Sequence, residues 1–234
     1  MKKRSKICIA ALLALCVGIG LKARAQSTRD FGNCACFAAD NAALGEPKKG
    51  EKRVVFFGNS ITQGWINIHP DFFKKNGYVN RGIGGQSTYN FLARFRSDVL
   101  DLKPAVVVIL GGTNDVAENT CVYNEDCTVN NIKSMVELAK LHKIKVILCS
   151  VVPSKQFGWR KTITDAPVKI DKLNKRLKAY AEEADITFAD YFSALVDKDG
   201  ESQRPEWTRD GVHPNASGYD VLESVIVPII NKVL

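Results

Sequence analysis

At 234 residues, 45% hydrophobic and 25% charged, the chain suits one medium domain of ordinary soluble, globular composition with a single sizeable core. The formal charge of +8 invites a nucleic-acid reading, yet Lys2, Lys3, Arg4, Lys6, Lys22 and Arg24 all lie in the first 25 positions, where no acid occurs. Residues 26–234 are left at +2, which removes any global electrostatic reason to bind nucleic acid.

The N-terminus reads as a signal peptide over residues 1–25. A basic start, Met1–Lys6, precedes the apolar run Ile7–Leu21, and Ala23-Arg24-Ala25 offers a small-residue cleavage site before Gln26. The run is short for a membrane span, so an exported chain with no stable membrane insertion after cleavage is expected, periplasmic or extracellular. An uncleaved anchor is the competing reading. Leu15 ahead of Cys16 disfavours a lipoprotein, which calls for a small residue there.

Residues 26–52 read as an extension and linker, ending in the charged stretch Gly45-Glu-Pro-Lys-Lys-Gly-Glu-Lys, and the domain itself as 53–234. Val54–Phe57, Tyr78–Asn80, Ala105–Leu110, Ile144–Val152 and Ile186–Ala189 are candidate strands, apolar enough for burial on both faces. Helical stripes alternate with them. Phe91, Phe95, Val99 and Leu102 form one, with Ser87 or Thr88 as N-cap. Ile132, Met135, Val136 and Ala139 form a second, with Thr128 as a candidate cap, and Ile170, Leu173, Leu177, Tyr180 and Ala184 a third. The closing segment Val221–Val233 carries Pro228, which is expected to kink or break it.

Strands alternating with helices predict right-handed crossovers and an α/β fold, a parallel sheet covered on both faces. Ligands of such sheets sit at the C-terminal strand ends. Gly58-Asn59-Ser60, Arg81–Thr88 and Gly111–Asp115 fall there.

Four segments carry the chemistry: Phe57-Gly58-Asn59-Ser60-Ile61-Thr62, Asn80-Arg81-Gly82-Ile83-Gly84-Gly85-Gln86-Ser87-Thr88, Gly112-Thr113-Asn114-Asp115 and Asp210-Gly211-Val212-His213-Pro214. In this order they resemble the four blocks of the SGNH (GDSL) hydrolase superfamily, over about residues 53–234. The resemblance implies a flavodoxin-like three-layer α/β/α sandwich with a five-stranded parallel sheet. It also implies a serine esterase, a carboxylic ester hydrolase that needs no cofactor. Ser60 at a helix N-terminus is the expected nucleophile, and a neutral imidazole must take its proton. Asp210 and His213, three apart, would share one face of a helical turn, the acid orienting the base. Among the three histidines, His142 falls near a helix end, where a dipole role suffices, and His69 is the other competitor. By resemblance the oxyanion hole comprises the backbone N–H groups of Ser60 and Gly85 and the side-chain amide of Asn114. Each residue also has a plain structural reading: Ser60 as a cap, Gly85 as a turn, Asn114 as an Asx turn and Asp210 as a solvated acid.

The first block departs from the commonest pattern, with Asn59 in place of Asp and Ile61 in place of Leu. Asn59 keeps its hydrogen-bonding capacity and loses the charge. Other templates fail: there is no P-loop lysine, no sixth-position glycine for a dinucleotide fingerprint and no G-x-S-x-G elbow around Ser60.

Trp65, Trp159 and Trp207 fall in segments on the loop side and are candidate substrate-binding residues, for a sugar face or an acyl group. Local packing anchors are the alternative for each. Cys121 and Cys127 flank a polar stretch and are expected to close a disulfide loop, with Cys149 a buried thiol. Cys34 and Cys36 are too close for easy mutual pairing. Without paired CxxC signatures, no metal site is expected. The expected partner is a small-molecule or glycan ester, with short-acyl deacetylation of carbohydrate favoured because exported members of this superfamily often do it. A lysophospholipase or thioesterase, or a catalytically silent carbohydrate-binding protein on the same fold, are the alternatives.

Overall fold

The five apolar runs form five parallel strands in the computed structural model, which describes residues 30–234. They are β1 (Val54–Gly58), β2 (Val79–Gly82), β3 (Val106–Leu110), β4 (Lys145–Cys149) and β5 (Thr187–Ala189), ordered β2-β1-β3-β4-β5. The helices are α1 (Ala38–Leu44), α2 (Ser60–Ile68), α3 (Pro70–Asn76), α4 (Thr88–Asp98), α5 (Thr113–Val116), α6 (Glu125–Leu141), α7 (Ala166–Glu183), α8 (Tyr191–Leu195) and α9 (Ala216–Val233). The expected signal peptide lies outside the described residues.

Successive strand side chains leave opposite faces, and every residue of β1 and β3 is buried. Val55, Phe57, Val107, Ile109 and Leu148 enter one core with the stripes Phe91/Phe95, Ile132/Met135/Val136 and Ile170/Leu173/Leu177. Val54, Phe56, Val106, Val108 and Ile147 enter the other, with Ile61, Trp65, Phe72, Phe73, Tyr191 and the α9 stripe Leu222/Ile226/Ile230. Both layers of the sandwich follow from this alternation. The chain steps from β1 outward to β2 and then back past β1 to β3. The switch in strand order therefore lies between β1 and β3, where a crevice opens at the C-terminal ends.

Three local expectations need correction. Asn124, not Thr128, caps α6: its side chain accepts from Cys127 N at 3.0 Å, while Thr128 is buried inside the helix. Pro228 does not break α9, which runs unbroken to Val233. The proline is exposed, as is Ser224 whose carbonyl loses its helical donor, so the break in bonding falls on the solvent side while Leu222, Ile226 and Ile230 hold the opposite face. The segment 31–52 is also no mere linker. Phe31–Leu234 forms one compact unit. Asn41 of α1 donates to Ser97 O at 3.1 Å and to Asp98 at 2.8 Å, and accepts from Arg81.

Candidate active site

β1 delivers Ser60 to the first turn of α2. Gly58 must be glycine, because a Cβ there would collide with the Thr62 side chain and the Leu110 carbonyl. Asn59 caps α2 by accepting from Ile61 N at 3.0 Å, so the residue that departs from the family pattern still braces the loop through its neutral oxygen. Ser60 is partly exposed above this turn, with its backbone at a helix N-terminus.

The fourth block comes from the loop before α9. His213 Nε2 lies 2.9 Å from Ser60 Oγ, and His213 Nδ1 lies 2.8 Å from Asp210 Oδ2. The expected helical turn is absent here; 210–213 is a series of bends with Gly211 at φ +84°. Asp210 builds the turn itself, its Oδ1 accepting from Val212 N at 3.0 Å and from His213 N at 2.8 Å. Burial pushes the Asp210 carboxyl up, but the hydrogen bonds from His213 and Val212 outweigh it and hold the group below its ordinary value. Gln203 ties this loop down by donating to Val212 O and Pro153 O.

The second and third blocks meet between these two. Gly85 sits at φ +76°, which a side chain would strain, and Gly84 N donates to Gln63. Asn114, buried at the start of α5, donates from Nδ2 to Gln86 O at 2.9 Å. An amide nitrogen carries two hydrogens, so one remains for a further acceptor. Geometry thus gathers Ser60, Gly85, Asn114, Asp210 and His213 along one edge of the sheet.

The tryptophans divide. Trp65 is 1% exposed, stacked on Phe72 and Tyr219 and bonded to Glu223, so it is a core residue and not a substrate contact. Its place on α2, five residues past Ser60, turns it under the sheet. Trp207 is half-buried against the same core with Arg204 over its ring, again a packing role. Trp159 alone remains at the site: it is 45% exposed, with its ring 5.9 Å from that of His213.

The cysteine expectation also changes. Cys121 and Cys127 are free, exposed thiols, not a bridge. Cys121 from the preceding loop and Cys127 from the first turn of α6 both bond the Tyr89 hydroxyl, and hydrogen bonding to Cys121 first, then burial, pushes its ionisation well up. Cys149 is buried as expected, and burial pushes its thiol up. His69, Asp220 and Glu223 bring ligand atoms within 4.8 Å of one another, as a metal would require, but at the far end of α2 from Ser60. Glu223 there already accepts from both His69 and Trp65.

Several residues escaped the sequence reading. Arg94 is fully buried beneath the loops, donating to Gly58 O at 3.0 Å, Arg81 O at 3.0 Å, Gln86 Oε1 at 2.6 Å and Asp98 at 2.9 Å. One guanidinium so joins the Ser60 loop to the Gly85 loop. The only signal was a charged pair, Arg94 and Asp98, at four-residue spacing beside an apolar stripe. Asp115 accepts from Thr88 N, Thr88 Oγ1 and Thr128 Oγ1, linking the third block to α4; burial pushes its carboxyl up against those bonds. Asn119, with no motif of its own, bonds Asn114 and Gly85.

Known proteins share this arrangement of elements. The profile of the GDSL-like lipase/acylhydrolase family matches residues 56–221. The crystal structure of a GDSL-like lipase from Bacteroides thetaiotaomicron VPI-5482 superposes with a TM-score of 0.86 at 56% identity, covering 88% of this chain and 100% of that one. An acetylxylan esterase of Xylanibacter ruminicola is 26% identical over 255 residues, covering 91% of this chain and 49% of that protein. The lipoprotein YqeF of Bacillus subtilis (strain 168) is 34% identical over 122 residues, 45% of this chain and 50% of its own length. The chain spans about half the length of these two curated relatives. With the family profile running from β1 into α9, the chain belongs to the GDSL-like lipase/acylhydrolase family.

Proposed function

We propose that this chain is an exported serine esterase that removes short acyl groups, acetyl above all, from carbohydrates, with Ser60 as nucleophile, His213 as base and Asp210 as its orienter. The observation that carries the reading is the unbroken hydrogen-bonded line from Ser60 Oγ through both ring nitrogens of His213 to Asp210. Neutral His213 takes the Ser60 proton at Nε2 as Oγ bonds to the ester carbonyl carbon. The carbonyl electron pair moves onto oxygen, which the N–H groups of Ser60, Gly85 and Asn114 stabilise; each such donor is worth about 3 kcal/mol of barrier. Collapse breaks the bond to the alcohol, which leaves with the Nε2 proton. Water, deprotonated in turn by His213, then cleaves acyl-Ser60 to the free acid and restores the serine.

In this sequence the alcohol departs beside Nε2. The exposed ring of Trp159, next to the imidazole, suits a sugar face on that side. The acetyl preference draws on the acetylxylan esterase relative, and export on the N-terminal leader and the lipoprotein relative. A series of p-nitrophenyl esters of increasing acyl length, followed by acetylated xylooligosaccharides, tests the reading. Highest kcat/KM at acetyl, with acetate released from the glycan, is expected. A maximum at long acyl chains would favour a lysophospholipase, and no turnover by folded protein would favour a binding protein.

A further inference from the structure

Asn119 follows α5 on a turn that the chain closes at a conformational cost. Glu118, a residue with a side chain, sits at φ +55° in the left-handed region, and this returns Asn119 over the helix it has just left. Asn119 N then donates to Asn114 O at 3.0 Å. The side chain uses both of its donors and one of its two acceptor lone pairs here. Its Nδ2 donates to Asn114 Oδ1 at 2.9 Å and to Gly85 O at 3.3 Å, and its Oδ1 accepts from Trp159 Nε1 at 2.9 Å. A second tie, Arg160 to Glu118 O at 3.1 Å, fastens the Trp159 loop to the same turn.

Such a chain of bonds has one direction. The indole can only donate, so Asn119 must present oxygen to it and nitrogen to Asn114. Asn114 must then present Oδ1 to Asn119 and Nδ2 to Gln86 O and the reacting carbonyl. A flipped Asn114 would set its oxygen against the developing oxyanion and against Gln86 O.

We propose that Asn119 is a positioning residue of the oxyanion hole, fixing the Asn114 amide nitrogen and the Gly85 loop, and that the Trp159 indole N–H locks it, so that the alcohol-side wall and the oxyanion donor form one unit. The inference rests on the reading of Asn114 as an oxyanion donor. It gives Trp159 a task separate from stacking: the ring meets the substrate, and the N–H orients the hole.

The test is a double-mutant cycle on steady-state kinetics, with Tm measured on each preparation. Asn119→Asp keeps the acceptor for Trp159 and removes the donor, so kcat should fall about tenfold or more with KM within about twofold. Trp159→Phe, which keeps a ring and loses the N–H, should lower kcat about threefold. In the Asn114→Ala background, Asn119→Asp should lower kcat by less than about twofold, because nothing is left to orient. Undiminished loss in that background overturns the inference while leaving the oxyanion reading intact, as does wild-type kcat for Asn119→Asp beside an impaired Asn114→Ala. An Asn114→Ala variant with wild-type turnover overturns both.

Discussion

The two halves of the candidate site are held in different ways. Ser60, Gly85 and Asn114 are fastened from beneath by groups arriving from several elements: Arg94 and Asp115 from α4 and α5, Asn119 from the following turn. Asp210 and His213 are held mainly by their own loop, through Asp210 accepting two of its backbone N–H groups, and Asp210 is half exposed. The difference matches the tasks proposed for them. Oxyanion donors stabilise charge only when they need no rearrangement as it develops, so they require a rigid, buried surround. A base must make contact first with Oγ and then with a leaving alcohol, and a local turn suffices to aim its ring.

The largest expected effect lies where the halves meet. Ser60→Ala and His213→Ala should each abolish nearly all turnover, on the order of a millionfold, with the double variant little worse than either. Losses that add in log rate would separate the two residues and break the comparison. Asp210→Asn probes the locally held half: kcat should fall by about a hundredfold to ten-thousandfold, with a small but measurable fall in melting temperature at neutral pH. Because the folded Asp210 carboxyl lies below its unfolded value, its stabilising contribution is full above about pH 4 and fades as pH falls through the lower folded value. The stability gap between wild type and Asp210→Asn should therefore close in acid; a gap constant with pH contradicts that assignment.

Arg94→Met probes the other half. It leaves Asp98 buried without its partner, and about 3–5 kcal/mol of stability should be lost, measured by urea unfolding. Adding Asp98→Leu should recover part of that stability but little of the turnover, since Gly58 O and Gln86 remain unbraced. Full recovery of kcat by the double variant would show that the guanidinium acts on stability alone.

The contrast also explains what could be read from the sequence. Strands and helical stripes were legible because their patterns are local: Val54–Phe57 is an unbroken apolar run, as a strand buried on both faces requires, and Phe91/Phe95 repeats at helical spacing. The four loop blocks were legible because each is contiguous. Arg94, Asp115 and Asn119 act through contacts between segments far apart in the chain, which leave no local pattern. Trp65 was misassigned for a related reason. Distance along the chain from Ser60 does not tell which face of α2 a residue takes, and the apolar partners Phe72 and Tyr219 decide it. Likewise, the three-residue spacing of Asp210 and His213 brought the right atoms together by a side-chain-built turn instead of a helix.

The central claim, that Ser60 is a nucleophile activated by His213, is tested most directly by intact mass spectrometry and peptide mapping after brief treatment with a fluorophosphonate. One adduct per chain, on Ser60, is expected for the wild type, none for Ser60→Ala, and a labelling rate lower by at least a hundredfold for His213→Ala. A folded wild type that stays unlabelled, or an adduct on another residue, would contradict the account.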